Sequence, residues 1–170
     1  VFSFGASFLE TWLSPVAYTR GFAKMRRGTS KRGFLVHFEA RMSQTAMKAD
    51  EWVPVAPGTE GLVAGALGKM IAEKRTGSVP AAFKNIDPAA VAEQSGVSLE
   101  TLERLAEIFN NAEHPLAMPP GNSLGLDNGF ESAKSVLLLN VLVYNPGKPG
   151  GVFLTPASPL GEDLPSSAHY

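Results

Sequence analysis

Cysteine is absent from all 170 residues. Disulfides, thiolate nucleophiles, zinc ribbons and iron–sulfur ligation within this chain are therefore excluded. An excess of either charge is also missing. Fifteen Lys and Arg stand against sixteen Asp and Glu, for a formal net charge of -1. Bulk attraction to nucleic acid or to an anionic bilayer does not follow from such a balance. Long apolar runs are missing too: the longest, residues 136–139 followed by 141–143, falls far short of the ~20 that a membrane helix needs. Only 18% of residues are charged while 44% are hydrophobic, which suits a packed core rather than a disordered chain. No secretory signal pattern is present. The chain opens inside an apolar strand-like run, Val1-Phe2-Ser3-Phe4, and reads as a piece of a larger protein whose targeting signals lie elsewhere.

What is present is an alternation of short apolar runs and longer helical patterns. Residues 1–4 read as a strand, Gly5-Ala6-Ser7 as a turn, and Phe8, Leu9, Trp12 and Leu13 as a helical stripe that Pro15 ends. Residues 18–27 read as a second helical piece ended by Gly28. The run Phe34-Leu35-Val36-His37-Phe38 is nearly continuous, as a strand buried on both faces should be. Residues 52–55 form an edge strand because of Pro54. Thr59 and Glu60 open a helix with Leu62, Val63, Ala66, Leu67, Met70 and Ile71 on one face, closed by Gly77. Asp87-Pro88 opens another, Gly96 closes it, and Ser98 caps a third with Leu99, Leu102, Leu105, Ala106 and Phe109 on one face. Residues 115–118 form a short strand, 121–129 a loop rich in Gly, Asn and Asp, and 130–143 an apolar helix. This order predicts an α/β domain over residues 1–154 with a mostly parallel sheet, and a linker or tail over 155–170.

In parallel sheets, ligands sit beyond the carboxyl ends of the strands. The residues to examine are then 5–7, 39–45, 56–60 and 121–129. The Gly5 turn lets a backbone approach a pyrophosphate, with the next helix N-terminus supplying N–H donors. Glu39 can accept from a ribose diol. Pro57-Gly58-Thr59-Glu60 reads by default as a helix start; its sharper reading has Glu60 accepting from the two adjacent donors of a guanine edge, with Gly58 making room.

The succession Glu39-Ala40-Arg41-Met42-Ser43-Gln44-Thr45-Ala46, followed by Ala49-Asp50-Glu51-Trp52 and Pro57-Gly58-Thr59-Glu60, resembles the dimethyl sulfoxide reductase family of molybdopterin oxidoreductases. Ser95-Gly96-Val97, Asn128-Gly129, Leu139-Asn140 and Gly147-Lys148-Pro149-Gly150-Gly151-Val152 continue the resemblance to about residue 153. It implies a Rossmann-like three-layer sandwich of the type that binds molybdopterin guanine dinucleotide. Gly5 and Ser7 then stand near the pyrophosphate. Glu39 and Arg41 replace an Asp-Pro-Arg beside the guanosine, with Ser43 and Thr45 on the adjoining loop. Pro57, Gly58, Thr59 and Glu60 form the guanine loop, and Asn128 and Gly129 approach the pterin. Ala56 replaces an Arg, and Pro119-Pro120-Gly121 replaces a glycine-rich strand end. The resemblance implies a molybdenum-dependent oxidoreductase in the full protein, with no catalytic residue or metal ligand in this segment. Its implied partners are the other domains of the same polypeptide, an iron–sulfur subunit and a membrane subunit, in a periplasmic or membrane-associated setting. Residues 8–16 also resemble the respiratory branch, including polysulfide-reductase-like proteins and alternative complex III. The alternative complex III subunit resembles the family in fold without the molybdenum cofactor, which implies a structural subunit of a respiratory membrane complex as the alternative.

Other constellations have plain readings. His37 is a strand histidine satisfied by a neighbour, and His114 is a surface residue. Six basic residues fall within 20–32, which reads as a solvated helix face or a partner surface rather than a nucleic-acid patch. Asp50 and Glu51 point opposite ways on an extended segment and serve as loop anchors.

Overall fold

The computed structural model describes residues 1–27 and 32–153. The expected tail over 155–170, together with Gly28 and Lys31, lies outside them. In chain order the elements are β1 (Phe2–Phe4), α1 (Pro15–Arg26), β2 (Val36–Phe38), α2 (Gln44–Lys48), β3 (Glu51–Val53), α3 (Glu60–Thr76), α4 (Ala81–Lys84), α5 (Pro88–Ser95), α6 (Leu99–Asn111), β4 (Ala117–Met118), a 3₁₀ turn (Asn122–Gly125) and α7 (Gly129–Leu142). The four strands are all parallel, in the order β3-β2-β1-β4. The chain starts in the middle of the sheet, moves outward to β3, then crosses to β4 on the other side of β1. The β1/β4 boundary is thus where the strand order reverses.

Side-chain alternation divides the sheet into two unlike faces. Phe2, Phe4, Val36, Phe38, Val53 and Ala117 face α3, α5, α6 and α7 and form the main core with Val63, Leu67, Leu105, Phe109 and Leu139. Phe4 stacks on Phe38 at 4.6 Å between ring centroids. Each such fully buried phenylalanine contributes about 1.5–3 kcal/mol over leaving it in water. The opposite face carries Met118, Ser3, His37 and Trp52 in one row. It is covered by a thinner layer in which Phe8, Leu35, Tyr18, Phe22 and Met25 meet.

The helix boundaries follow local chemistry. Gly77 and Gly96 end α3 and α5 in the left-handed conformation, Asp87 Oδ1 accepts from Ala89 N–H, and Ser98 Oγ accepts from Thr101 N–H. Close approach of α3 to α7 rests on Gly61, where an added Cβ would sit 2.4 Å from Ser132 Cα. Asp50 and Glu51 do diverge. Asp50 takes Arg26 Nη1 at 2.7 Å and Leu35 N–H at 2.7 Å, while Glu51 pairs with Arg104.

Several expectations are revised. Residues 8–13 are turns, not a helix: Ser7 O accepts from the N–H groups of Glu10, Thr11 and Trp12 at 3.1–3.3 Å. Ser14 is held extended ahead of Pro15, and a six-residue segment gives too few bonds to offset helix nucleation. Pro15 therefore starts α1 rather than ending a helix. Leu99 is exposed rather than part of the buried α6 face, being the first residue after the cap. The short helices α2 and α4 had no apolar period long enough to announce them.

The edge of β4 is closed by a side chain. Asn140 of α7 donates to Ala117 O at 2.8 Å and accepts from Ala117 N–H at 2.9 Å, as a neighbouring strand would. Asn145 Nδ2 supports it by donating to Asn140 Oδ1 and to Pro115 O. Replacing Asn140 with Leu leaves a buried amide and carbonyl without partners. A loss of about 2–4 kcal/mol is expected, read as a lower urea midpoint at unchanged slope.

Candidate functional site

The strand ends meet around the turn after β1. Gly5 has φ +74°, a conformation that side-chain-bearing residues rarely adopt. Its neighbour across the β1/β4 boundary is Gly121, whose N–H donates to Gly5 O at 3.3 Å. A Cβ on Gly121 would lie 2.8 Å from that oxygen. Glu60, the first residue of α3, reaches back to the same turn: its Oε1 and Ser123 Oγ both lie 3.9 Å from where a Gly5 Cβ would be. Glu60 and Ser123 are buried, and Glu60 Oε2 and Ser123 Oγ have no hydrogen-bond partner in the protein.

A second group continues along the rim. Glu39 follows β2 and is buried. Its Oε1 accepts from Ser7 Oγ at 3.3 Å and lies 3.6 Å from Arg41 Nε. Its Oε2 lies 3.1 Å from His37 Nε2, and its backbone oxygen accepts from Trp52 Nε1 at 3.0 Å. Burial pushes the His37 pKa down against the upward pull of Glu39. In its neutral form the ring donates from Nε2 to Glu39, leaving Nδ1 as a buried acceptor without a partner. Glu10 lies 4.0 Å from Arg41.

Each residue singled out from the sequence can now be placed. Gly5, Ser7, Glu39, Arg41 and Glu60 converge on one rim. Thr45 is fully buried beside it and accepts from Leu9 N–H at 3.2 Å. Ser43 is turned inward, capping α2 through Ala46 N–H. Gly58, with φ +81°, is joined to the 3₁₀ region by Asn128 Nδ2 donating to its carbonyl at 2.8 Å. Pro57 is exposed, and Thr59 Oγ1 donates to Ala56 O instead of capping α3. Gly129 is packed against the Leu124 carbonyl at the start of α7. Sequence reasoning passed over Glu10, Trp52, Gly121 and Ser123 as rim residues. The Gly/Asn-rich pattern of 121–129 pointed at the last two; Glu10 carried no signal.

One expectation about the turn is overturned. The helix expected directly after Gly5 is absent: residues 8–13 are turns, and the N–H groups of residues 10–12 are used by Ser7 O. The nearest acidic groups are Glu60 and Glu39, and the nearest cation, Arg41, is paired to Glu39 and Glu10. Donors and positive charge are what a pyrophosphate requires. Around this turn they are the unpartnered Ser123 hydroxyl and the exposed Arg41, set against the Glu39 and Glu60 carboxylates. Among the described residues no cluster of three or more His, Asp or Glu is arranged to hold a metal ion, and no helix is long and apolar enough to cross a membrane.

No family model matches the chain. It is 29% identical over 175 aligned residues to the menaquinone reductase, molybdopterin-binding-like subunit of Nitratidesulfovibrio vulgaris, covering 96% of this chain and 25% of that protein. Among solved structures it resembles acetylene hydratase from Pelobacter acetylenicus, with a TM-score of 0.64 and 18% identity over 84% of this chain and 20% of that one. The chain thus spans about a quarter of the length of the curated relative it matches. The structural likeness shows the α/β fold.

Burial raises the pKa of Glu60, and Glu39 adds to it, while hydrogen bonds from the N–H groups of Glu60 and Gly58 pull the other way. The folded chain therefore holds a proton here at pH values where the unfolded chain has lost it. Stability contributed by this proton is lost as pH rises from the ordinary glutamate value through the raised one. Glu60→Gln is expected to be more stable than wild type at neutral pH, with the difference vanishing near pH ~4. Thermal melting across that range checks it: a wild-type advantage at neutral pH would show that the ionised carboxylate is stabilising.

Proposed function

We propose that this chain is a structural α/β domain of a respiratory membrane complex, retaining the fold of a molybdopterin oxidoreductase while its dinucleotide crevice is closed. The observation that carries this reading is the junction between β1 and β4, where Gly121 N–H bonds to Gly5 O and Glu60 packs against the same turn. Ligands of open α/β sheets enter where the strand order reverses, and here protein groups fill that place. The name of the relative, a molybdopterin-binding-like subunit of a menaquinone reductase, supports both the ancestry and the setting. The role left to such a domain is to present surfaces to neighbouring domains and subunits. In keeping with this, Phe130, Leu137, Val141 and Tyr144 make an exposed apolar stripe on and just beyond α7, with Phe130 78% exposed.

A second reading keeps part of the cofactor site: the domain holds molybdopterin guanine dinucleotide for molybdenum chemistry carried out by the whole protein. What favours it is the pair of unpartnered buried groups, Glu60 Oε2 and Ser123 Oγ. An acceptor of that kind suits a guanine edge better than a phosphate.

The two readings separate in one measurement on the full-length protein purified with its complex. Acid release of nucleotides and elemental analysis are expected to find neither guanine nucleotide nor molybdenum at stoichiometric levels. Recovery of both, near one metal per chain and with guanosine monophosphate released, would replace the structural reading by the cofactor reading.

A further inference from the structure

Helix α1 has no buried residue and no acidic one. Arg26 turns toward Asp50, but Arg20, Lys24 and Arg27 are exposed and, among the described residues, form no ion pair. At 100° per residue these three fall within a 60° arc, so they make one ridge, extended toward the helix start by Val16 at 74% exposure. On the other side of the sheet, α3, α5 and α6 enclose an open groove of about 910 Å³. Its floor includes Met70 and Ala106. Its wall on α6 carries Glu100, Glu103 and Glu107, all exposed and, among the described residues, in no salt bridge, with Glu73 and Lys74 of α3 opposite and Asp87 at the start of α5. Arg104, in the same wall, is engaged by Glu51.

The two surfaces match in spacing as well as in sign. The cations are separated by four and then three residues. The α6 carboxylates, taken from the C-terminus, are also separated by four and then three. An antiparallel approach of α1 to α6 therefore sets Arg20 beside Glu107, Lys24 beside Glu103 and Arg27 beside Glu100. A parallel approach loses this register. The antiparallel arrangement also places the basic end of α1 against the N-terminus of α6, opposing the two helix dipoles. Ridge and groove lie on opposite faces of one sheet, so they cannot meet within one molecule.

We propose that the basic ridge of α1 docks into the acidic α3–α6 groove of a second copy of this chain. The contact is head-to-tail, because different patches are used on the two partners, so it extends beyond a dimer. A net charge of -1 leaves little overall repulsion to oppose it. Each pair is solvent-exposed, which makes the association weak and strongly dependent on salt.

Sedimentation velocity of the 170-residue chain tests this. At ionic strength of about 20 mM the average mass should rise with concentration, and at about 500 mM it should return to the 18.0 kDa monomer. The triple variant R20E/K24E/R27E and the triple variant E100K/E103K/E107K should each remain monomeric at low salt. Mixed in equal amounts they should associate again, since the reversed ridge of one then faces the reversed groove of the other. Circular dichroism confirms that each variant is folded; these positions are exposed, and substitution there leaves the core untouched. A wild-type monomer at all concentrations in low salt overturns the proposal. So does association that both variants retain, which would assign it to the apolar stripe of α7, and so does failure of the mixture to associate.

Discussion

The contact between Gly121 N–H and Gly5 O governs what the rest of this molecule can do. It ties together the carboxyl ends of β1 and β4, parallel strands whose outgoing connections lead to opposite faces of the sheet. Such divergence ordinarily opens a crevice for a ligand. Here the absence of a side chain at Gly121 lets one backbone lie directly on the other, and the left-handed Gly5 turns the chain away beneath it. Glu60 and Ser123 then occupy what space remains.

Closing that junction leaves acidic groups inside. Glu39 is satisfied on both oxygens, by Ser7 and Arg41 on one and His37 on the other. Glu60 is half satisfied, and burial keeps its carboxyl inclined toward the neutral form. The rim thus has the hydrogen-bond economy of an interior rather than of an anion site. Around Glu39 the polar groups hold one another in place, linking β1, β2 and β3 through Ser7, His37 and Trp52.

The two faces of the sheet are held by different physics. The α3–α7 face is a dense apolar core in which small residues bring helices close, and Asn140 closes the β4 edge of the sheet. The α1 face is thinner, and its helix is attached by half-buried aromatic residues and by the Arg26–Asp50 pair. Stability resides mainly in the first. The second carries the exposed cations Arg20, Lys24 and Arg27.

Much of the architecture was legible in the residues themselves. The apolar runs at 1–4 and 34–38, the edge position signalled by Pro54, and the helix stops at Gly77 and Gly96 all rest on short-range sterics and periodicity, which a sequence states directly. The segments to inspect at the strand ends were legible for the same reason. Convergence of Gly5, Ser7, Glu39 and Glu60 depends on strand order, which is a long-range property, and the resemblance to a known family supplied that expectation. What the sequence could not state is the fate of each polar group once there. Whether Gly121 meets Gly5 and whether Glu60 faces solvent or the turn are settled by packing between segments more than fifty residues apart. Local propensity decides which elements form; only their mutual contact decides whether the space between them is left for a ligand or filled by the protein.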